Sequence, residues 1–367
     1  MGHSRNVMEF KTIGYLSEEG VLSKECKHII SDEELLKGYR TMVLTRQIDD
    51  RMITLQRQGT ISFAMSSLGE EASVVASAAA LEMGDWLYPQ YRENGIMFWR
   101  GWSPVDYIHH MFCNGEDLIK GRQMPNHFGD RSLNVVTVSS PLATQLPQAA
   151  GAAYAMQIRG EQTIALAYFG EGTASKGDFH VGLNFAALRK APVIYFCRNN
   201  GYAISTPSSE QFATDGVAPR GPSYGIETFR VDGNDYFAVH ETVARARNYC
   251  LAGNGPVLIE AMTYRMGAHS TSDDPKAYRD DAELEEWEKK DPILRLRRYL
   301  EQKKLWDAEK ETALLKEIGE DIDAAIEMAK AAPPPPLESI AEDVYFEMPP
   351  RLRQQLNELR SIYGQGV

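Results

Sequence analysis

Cysteine is scarce and scattered in this chain. Its 367 residues include four, Cys26, Cys113, Cys197 and Cys250, and no two form a C-x-x-C pair. That spacing excludes a disulfide-stapled scaffold and a structural zinc finger, and it suits reduced thiols packed as small apolar side chains in a cytoplasm-like compartment. Long apolar runs are missing as well. No stretch approaches the roughly 18 uncharged apolar residues of a membrane helix, and the polar start MGHSRNVMEF lacks the apolar centre of a signal peptide, so a soluble, unprocessed chain is expected. Positive charge is in deficit: Lys and Arg number 39 against 51 Asp and Glu, a formal charge of −12. A general nucleic-acid role is excluded on that ground, and any anionic ligand must be held by a local arrangement working against the overall field.

What is present is alternation. Residues 1–30 show no sustained period and read as an arm that needs another surface to order it. Ser31 and Glu34 then have capping-box spacing, and Leu35, Leu36, Tyr39, Met42 and Val43 follow at helical intervals until Gly59. An alanine-rich helix is expected over 70–82. Short apolar runs come next at 134–138 (NVVTV), 163–169 (TIALAYF), 192–197 (PVIYFC), 229–231 and 256–262 (PVLIEAM), separated by helical stretches such as 142–158 and 237–251. Continuous apolar runs of this length belong to a parallel sheet covered on both faces, so the fold class is doubly wound α/β. The main domain is read as 31–330, including a charged helical region over 281–330. A polyproline spacer at Pro333 to Pro336 and a short amphipathic tail complete 331–367. The small-residue segment PQAAGAAYAM at 147–156 fits close packing within one chain or between two chains equally well.

The chemistry gathers at two turns. After the run ending at Phe169 comes Gly170, Glu171, Gly172, Thr173; after the run ending at Cys197 comes Arg198, Asn199, Asn200, Gly201, Tyr202. Both leave carboxyl ends of strands, where open parallel sheets bind ligands, so the two turns should face one site. A Walker loop fails because Lys176 precedes Gly177 and no hydroxyl follows. A dinucleotide fingerprint is disfavoured because Ser175 stands at the third glycine and no acidic residue ends the next strand. Glu171 and Asn200, helped by a carbonyl near Tyr202, instead offer the hard oxygens that magnesium shares with water and phosphate, while the glycines let backbone amides approach a diphosphate. A strand, G-E-G, a helix, a strand and N-N is the pattern of a thiamine diphosphate and magnesium site. Taken singly, these residues also read as ordinary turn formers.

On YPQYRENG, KGRQMPNH, SSPLATQLPQAAGAAYA, YFGEGTASKGD, CRNNGYAIS and YRMGAHSTSDD, the chain resembles the α subunit of the thiamine diphosphate-dependent decarboxylase component of 2-oxoacid dehydrogenase complexes. GRQMP, CRNNGYAIS and STSDD resemble the branched-chain members more than the pyruvate members. The resemblance implies a thiamine diphosphate-binding fold with a helical C-terminal extension. It implies Glu171, Asn200 and the Tyr202 carbonyl as magnesium ligands, with Gln90, Tyr91, Arg92, Ser140, Leu142, Gly170, Gly172, Thr173, Arg198, Ala203, Ile204 and His269 around the cofactor. Arg92 and Arg198 would offset the diphosphate charge that magnesium leaves, through forked bonds. Phe63, Tyr91, His127 and Ser140 would meet the substrate, and His269 would be the catalytic histidine.

The implied reaction is oxidative decarboxylation of a branched-chain 2-oxo acid, with the acyl group passed to the lipoyl arm of an acyltransferase partner. The implied assembly is an α2β2 heterotetramer whose β subunit completes the cofactor site. Neither a membrane nor a nucleic acid is expected as a partner. The alternatives are a pyruvate or acetoin dehydrogenase α subunit, and a catalytically silent scaffold. The location implied is cytoplasmic for a bacterial-type chain, or the mitochondrial matrix for a processed eukaryotic one. The chain departs from most members in having Glu171 for an aspartate, and from some in having Ala268 for a second histidine. Ser270 matches a serine that mitochondrial members phosphorylate, with Asp280 at the second such position. The loop 267–279, rich in hydroxyls and charge, should be mobile until a diphosphate gives His269 something to hold.

Overall fold

The computed structural model describes residues 10–363; the start of the arm and the last four residues lie outside the described range. Ser31 caps helix α1 (Asp32–Arg57), its hydroxyl accepting from Glu34 N at 3.2 Å above a first turn of three acidic residues. Gly59, at φ +74°, lies just past the C-cap Gln58, a conformation that glycine tolerates best. The alanine-rich helix α2 (Glu71–Ala79) follows, then strand β2 (Trp86–Tyr88), α3 (Asn94–Arg100) and α4 (Pro104–Phe112). Ser103 and Asp106 cap α4 reciprocally.

The centre of the molecule alternates strand and helix: α5 (Gln145–Arg159), β3 (Ala165–Gly170), α6 (Gly177–Arg189) and β4 (Val193–Asn199). A small hairpin, β5 (Tyr202–Ala203) with β6 (Thr206–Pro207), leads through a short α7 (Ser208–Gln211) to β7 (Glu227–Asp232), α8 (Tyr236–Leu251) and β8 (Val257–Met262). With β1 (Thr12–Ile13), six strands form one sheet in the order β1-β7-β8-β4-β3-β2, every neighbouring pair parallel.

Strands β3, β4 and β8 are buried along almost their whole length, and their alternate residues serve two separate cores. Leu166, Tyr168, Ile194 and Phe196 face the core under α1, α2 and α8, whereas Ala165, Ala167, Val193 and Tyr195 face the core under α5 and α6. Each large apolar side chain buried this way stabilises the fold by about 1.5–3 kcal/mol, which is why both faces of these strands are apolar.

Four expectations change. The run at 134–138 is no named strand: Val135 makes single bridges, parallel to Leu87 and antiparallel to Asp130, and Val138 N donates to Phe128 O, so the run meets the edge strand β2 at one residue only. Residues 12–16 of the arm order on their own domain, where β1 pairs with β7 and the amides of Tyr15 and Leu16 donate to Asp235 Oδ2. The prolines do not act as a free spacer, because Pro333 O accepts from Gly115 N at 2.8 Å and Lys120 pairs with both Glu342 and Asp343. Of the cysteines, Cys197 and Cys250 are buried but Cys26 and Cys113 are half-buried.

The charged region divides into α9 (Asp281–Glu288), α10 (Pro292–Gln302) and α11 (Ala308–Ala331); the tail is α12 (Pro350–Tyr363). In 147–156, Ala149, Ala150 and Ala153 are buried in the core shared with α6, while Gly151 faces open space. Among the described residues no helix is long and apolar enough to cross a membrane.

Candidate functional site

Register brings the two turns together. Gly170 lies opposite Arg198 across the β3–β4 pair, so the residues that follow leave the sheet side by side. A cavity of about 370 Å³ opens there, and it is lined by every residue that the sequence nominated: Phe63, Gln90, Tyr91, Arg92, His127, Ser140, Leu142, Gly170, Glu171, Gly172, Thr173, Arg198, Asn200, Tyr202, Ala203, Ile204 and His269. A larger, more open groove of about 910 Å³ runs between α1, α3 and α11 and contains none of them. Volume is therefore a poor guide here; the converging polar groups mark the smaller cavity.

Glu171 is 1% exposed. Its Oε2 accepts from Asn200 N at 3.4 Å, whereas among the described residues Oε1 has no hydrogen-bond partner, and burial together with the negative charge of Glu70 raises its carboxyl above the ordinary value. A buried carboxylate oxygen without a donor is costly, and a cation satisfies it. Asn200 points Nδ2 at Glu70 Oε1 (3.0 Å) and Oδ1 at Tyr202 N (3.3 Å). Gly172 approaches the hairpin so closely that a Cβ there would lie 2.7 Å from Ala203 Cβ. Gln90, just beyond β2, ties the turn down: its Oε1 accepts from Gly170 N (3.0 Å) and Thr173 Oγ1 (2.8 Å).

The arginines of the lining are held differently. Arg198 donates Nη1 to Glu70 and Nε to Glu93, both fully buried, so two carboxylates already match its charge and Nη2 is left over. Among the described residues Arg92 pairs with no carboxylate. It joins two segments by donating Nη1 to Ser66 O and Nη2 to His269 O at 2.5 Å, with Nη2 also 3.2 Å from His269 Nδ1. Arg265 supplies a further cation, reaching Ile204 O and the Tyr278 hydroxyl at 2.8 Å each and the Tyr202 carbonyl at 3.4 Å. Burial first, then Arg92 and Arg265, push the His269 imidazole down to about 3. Since a guanidinium only donates, Nδ1 accepts and Nε2 carries the hydrogen of a neutral ring.

Two more features shape the far wall. His127 Nδ1 lies 3.1 Å from Pro125 O, which only accepts, so Nδ1 carries the proton and Nε2 accepts from Ser140 Oγ at 2.6 Å. Burial holds this imidazole below its ordinary value. Met65 completes an apolar surface with Phe63 and Leu142, and Asn126 fixes it by accepting from its N–H at 3.0 Å.

Met65 and Arg265 are the lining residues that sequence reasoning missed. Arg265 had a usable signal, because it stands just past β8, the neighbour of β4, where strand ends collect ligands. Met65 had none, its place depending on a loop folded back from α1.

The loop 267–279 is tethered already. His269 N and the Tyr278 hydroxyl both donate to Asp273 Oδ2, at 2.7 and 2.6 Å, and Arg279 Nη1 donates to Arg265 O. Among the described residues no three His, Cys, Asp or Glu side chains cluster as a metal site. One carboxylate, one amide and a carbonyl need no such cluster, since magnesium completes its octahedron with water and phosphate oxygen.

Comparison with known proteins agrees with this geometry. A family model described as the dehydrogenase E1 component matches residues 39–338. The mitochondrial 2-oxoisovalerate dehydrogenase subunit alpha of Caenorhabditis elegans is 49% identical over 341 residues, 92% of this chain and 79% of that protein. Its counterpart from Dictyostelium discoideum is 48% identical over 347 residues, 94% and 79% of the two chains. The Homo sapiens protein of the same name is 50% identical over 328 residues, 89% and 74%. This chain belongs to the dehydrogenase E1 component family, the thiamine diphosphate-dependent 2-oxoacid dehydrogenases.

Proposed function

We propose that the chain is the α half of a branched-chain 2-oxoacid decarboxylase. It would hold the diphosphate and magnesium end of thiamine diphosphate, while a β subunit in an α2β2 assembly completes the cofactor site. The observation that carries this reading is the orphaned Glu171 Oε1 beside Asn200, in the same cavity as an apolar wall of Phe63, Met65 and Leu142. The donor set fits magnesium: Glu171, Asn200 Oδ1 and the Tyr202 carbonyl would be its protein ligands. The close approach of Gly172 to the hairpin and the unmatched charge of Arg92 fit a diphosphate.

When bound, thiamine diphosphate supplies a carbon nucleophile and an electron sink for decarboxylation. The protein's part is binding, orientation and proton handling. Ser140 and His127 form one hydrogen-bonded pair facing the substrate's polar end, and the Phe63, Met65 and Leu142 surface takes a branched aliphatic side chain. His269, neutral with hydrogen on Nε2, presents a donor to the reacting centre during acyl transfer to a lipoyl-bearing acyltransferase. The relatives named above are mitochondrial proteins, and the mitochondrion or, for a bacterial-type chain, the cytoplasm is the compartment this reading assigns.

The test is co-expression with the β subunit, followed by carbon dioxide release from 3-methyl-2-oxobutanoate. The reading expects release that depends on thiamine diphosphate and collapses in Glu171→Ala. Release no faster than that of the variant, or a preference for pyruvate, contradicts it; the first outcome points to a silent scaffold and the second to a pyruvate-type subunit.

A further inference from the structure

Glu70 stands one layer behind the cavity. It is fully buried and precedes α2 as its N-cap residue, yet it makes no capping hydrogen bond, because both oxygens are turned toward β4. Oε2 accepts from Arg198 Nη1, and Oε1 accepts from Asn200 Nδ2 at 3.0 Å. The second contact bears on metal binding, an inference that rests on Asn200 being a ligand. A carboxamide has nearly the same shape at either end, so packing alone does not decide which end faces a cation. Only the oxygen can ligate one. A carboxylate accepts and never donates, so Glu70 takes Nδ2; the opposite orientation would set two acceptors against each other inside a dry layer.

Asn200 Oδ1 is thereby turned away from Glu70, where it accepts from Tyr202 N at 3.3 Å on the turn that carries the third candidate ligand. Arg198 has a part in this. Its ion pairs with Glu70 and Glu93 hold the glutamate carboxylate in place one residue before α2 and compensate a charge that would otherwise be buried alone. We propose that Glu70 is a positioning residue for the divalent cation: it selects the ligating face of Asn200 without touching the metal.

The experiment is a double-mutant cycle between positions 70 and 200 in the chain co-expressed with its β subunit. Magnesium affinity is measured by calorimetric titration at saturating thiamine diphosphate, with thermal midpoints recorded separately. Glu70→Gln can pair with either end of Asn200 and leaves the amide's orientation to the 3.3 Å contact from Tyr202 N alone, so it should weaken magnesium binding about 10- to 100-fold, as loss of a group that orients a ligand does. Glu70→Asp keeps an acceptor-only group on a shorter stem and should lose less than about tenfold, even if its thermal midpoint falls.

Asn200→Asp makes both ends of residue 200 equivalent. It should raise affinity about tenfold in the Glu70→Gln background, where the amide can donate to it, and should not raise it in the Glu70 background, where two carboxylates meet. A purely structural ion pair predicts the same factor for Asn200→Asp in both backgrounds, and that result overturns the proposal. If Glu70→Gln does not assemble, Glu70→Asp decides the matter, and a loss beyond about tenfold overturns it. Glu171→Ala separates the two levels. Unchanged magnesium affinity there sinks the metal site itself, whereas a large loss there with no coupling between 70 and 200 sinks only the role of Glu70.

Discussion

Replacing Arg92 with lysine keeps the charge and removes the fork. In the structure that fork joins two segments of the cavity lining: Ser66 O beside Met65, and His269 O on the loop 267–279. Arg92 is 3% exposed and among the described residues pairs with no carboxylate, so both bonds are charge-assisted and made away from water. Bonds of that kind contribute about 1.5–3 kcal/mol each, and a single ammonium can replace only one of them. The other loss, about 1.5–3 kcal/mol, corresponds to a roughly 10- to 150-fold drop in the ratio of docked to undocked loop. Calorimetry on the heterotetramer should show thiamine diphosphate affinity in Arg92→Lys reduced by up to that factor. Protease cleavage within 267–279 should be faster than in the unmodified protein, with cofactor and without. Affinity within twofold of normal together with unchanged cleavage would refute the idea that Arg92 couples the two segments.

Gly172→Ala sets a methyl 2.7 Å from Ala203 Cβ, so the β5–β6 hairpin must move; we expect a cost of about 1–3 kcal/mol in stability and magnesium-dependent cofactor binding weakened by tenfold or more, read by melting and titration. Met65→Ala enlarges the pocket at its apolar wall, and the kcat/KM ratio of an aromatic to a branched-chain 2-oxo acid should rise by about 10-fold or more, since one methylene is worth about 10- to 200-fold in such pockets. The pH dependence of His269 has a definite sign. Its folded value, about 3, lies below the ordinary 6.5, so the unfolded chain binds the extra proton first and the stability contributed by the neutral ring is present above about pH 6.5 and lost as pH falls toward 3. The acid limb of the melting curve should therefore be shallower in His269→Asn, with no change on the alkaline side; parallel curves would contradict this.

How much of this was legible in sequence follows from what each segment buries. Strands β3, β4 and β8 are apolar on both faces because both faces meet helices, so continuous runs such as PVIYFC announced them. Strands β1 and β2, of two and three residues, are too short to carry a period, and the β-branched run at 134–138 was misleading because Val135 and Val138 are buried without a strand partner along their length. At the site, the spacing of Glu171 and Asn200 after consecutive strands was readable, since adjacent parallel strands place their carboxyl ends together. Pairing was not. Nothing in the sequence says that Glu70 and Glu93 neutralise Arg198, or that Arg265 rather than Arg198 joins Arg92 as a cation beside His269, because those contacts join residues that only the folded sheet brings together.

The central claim is that Glu171 and Asn200 hold a divalent cation which anchors the diphosphate. It is tested most directly by a crystal structure of the heterotetramer with thiamine diphosphate and manganese in place of magnesium. The account predicts an anomalous peak within about 2.5 Å of Glu171 Oε1 and Asn200 Oδ1, next to the Tyr202 carbonyl. A peak elsewhere, or a diphosphate bound while Glu171 Oε1 stays without a partner, would contradict it.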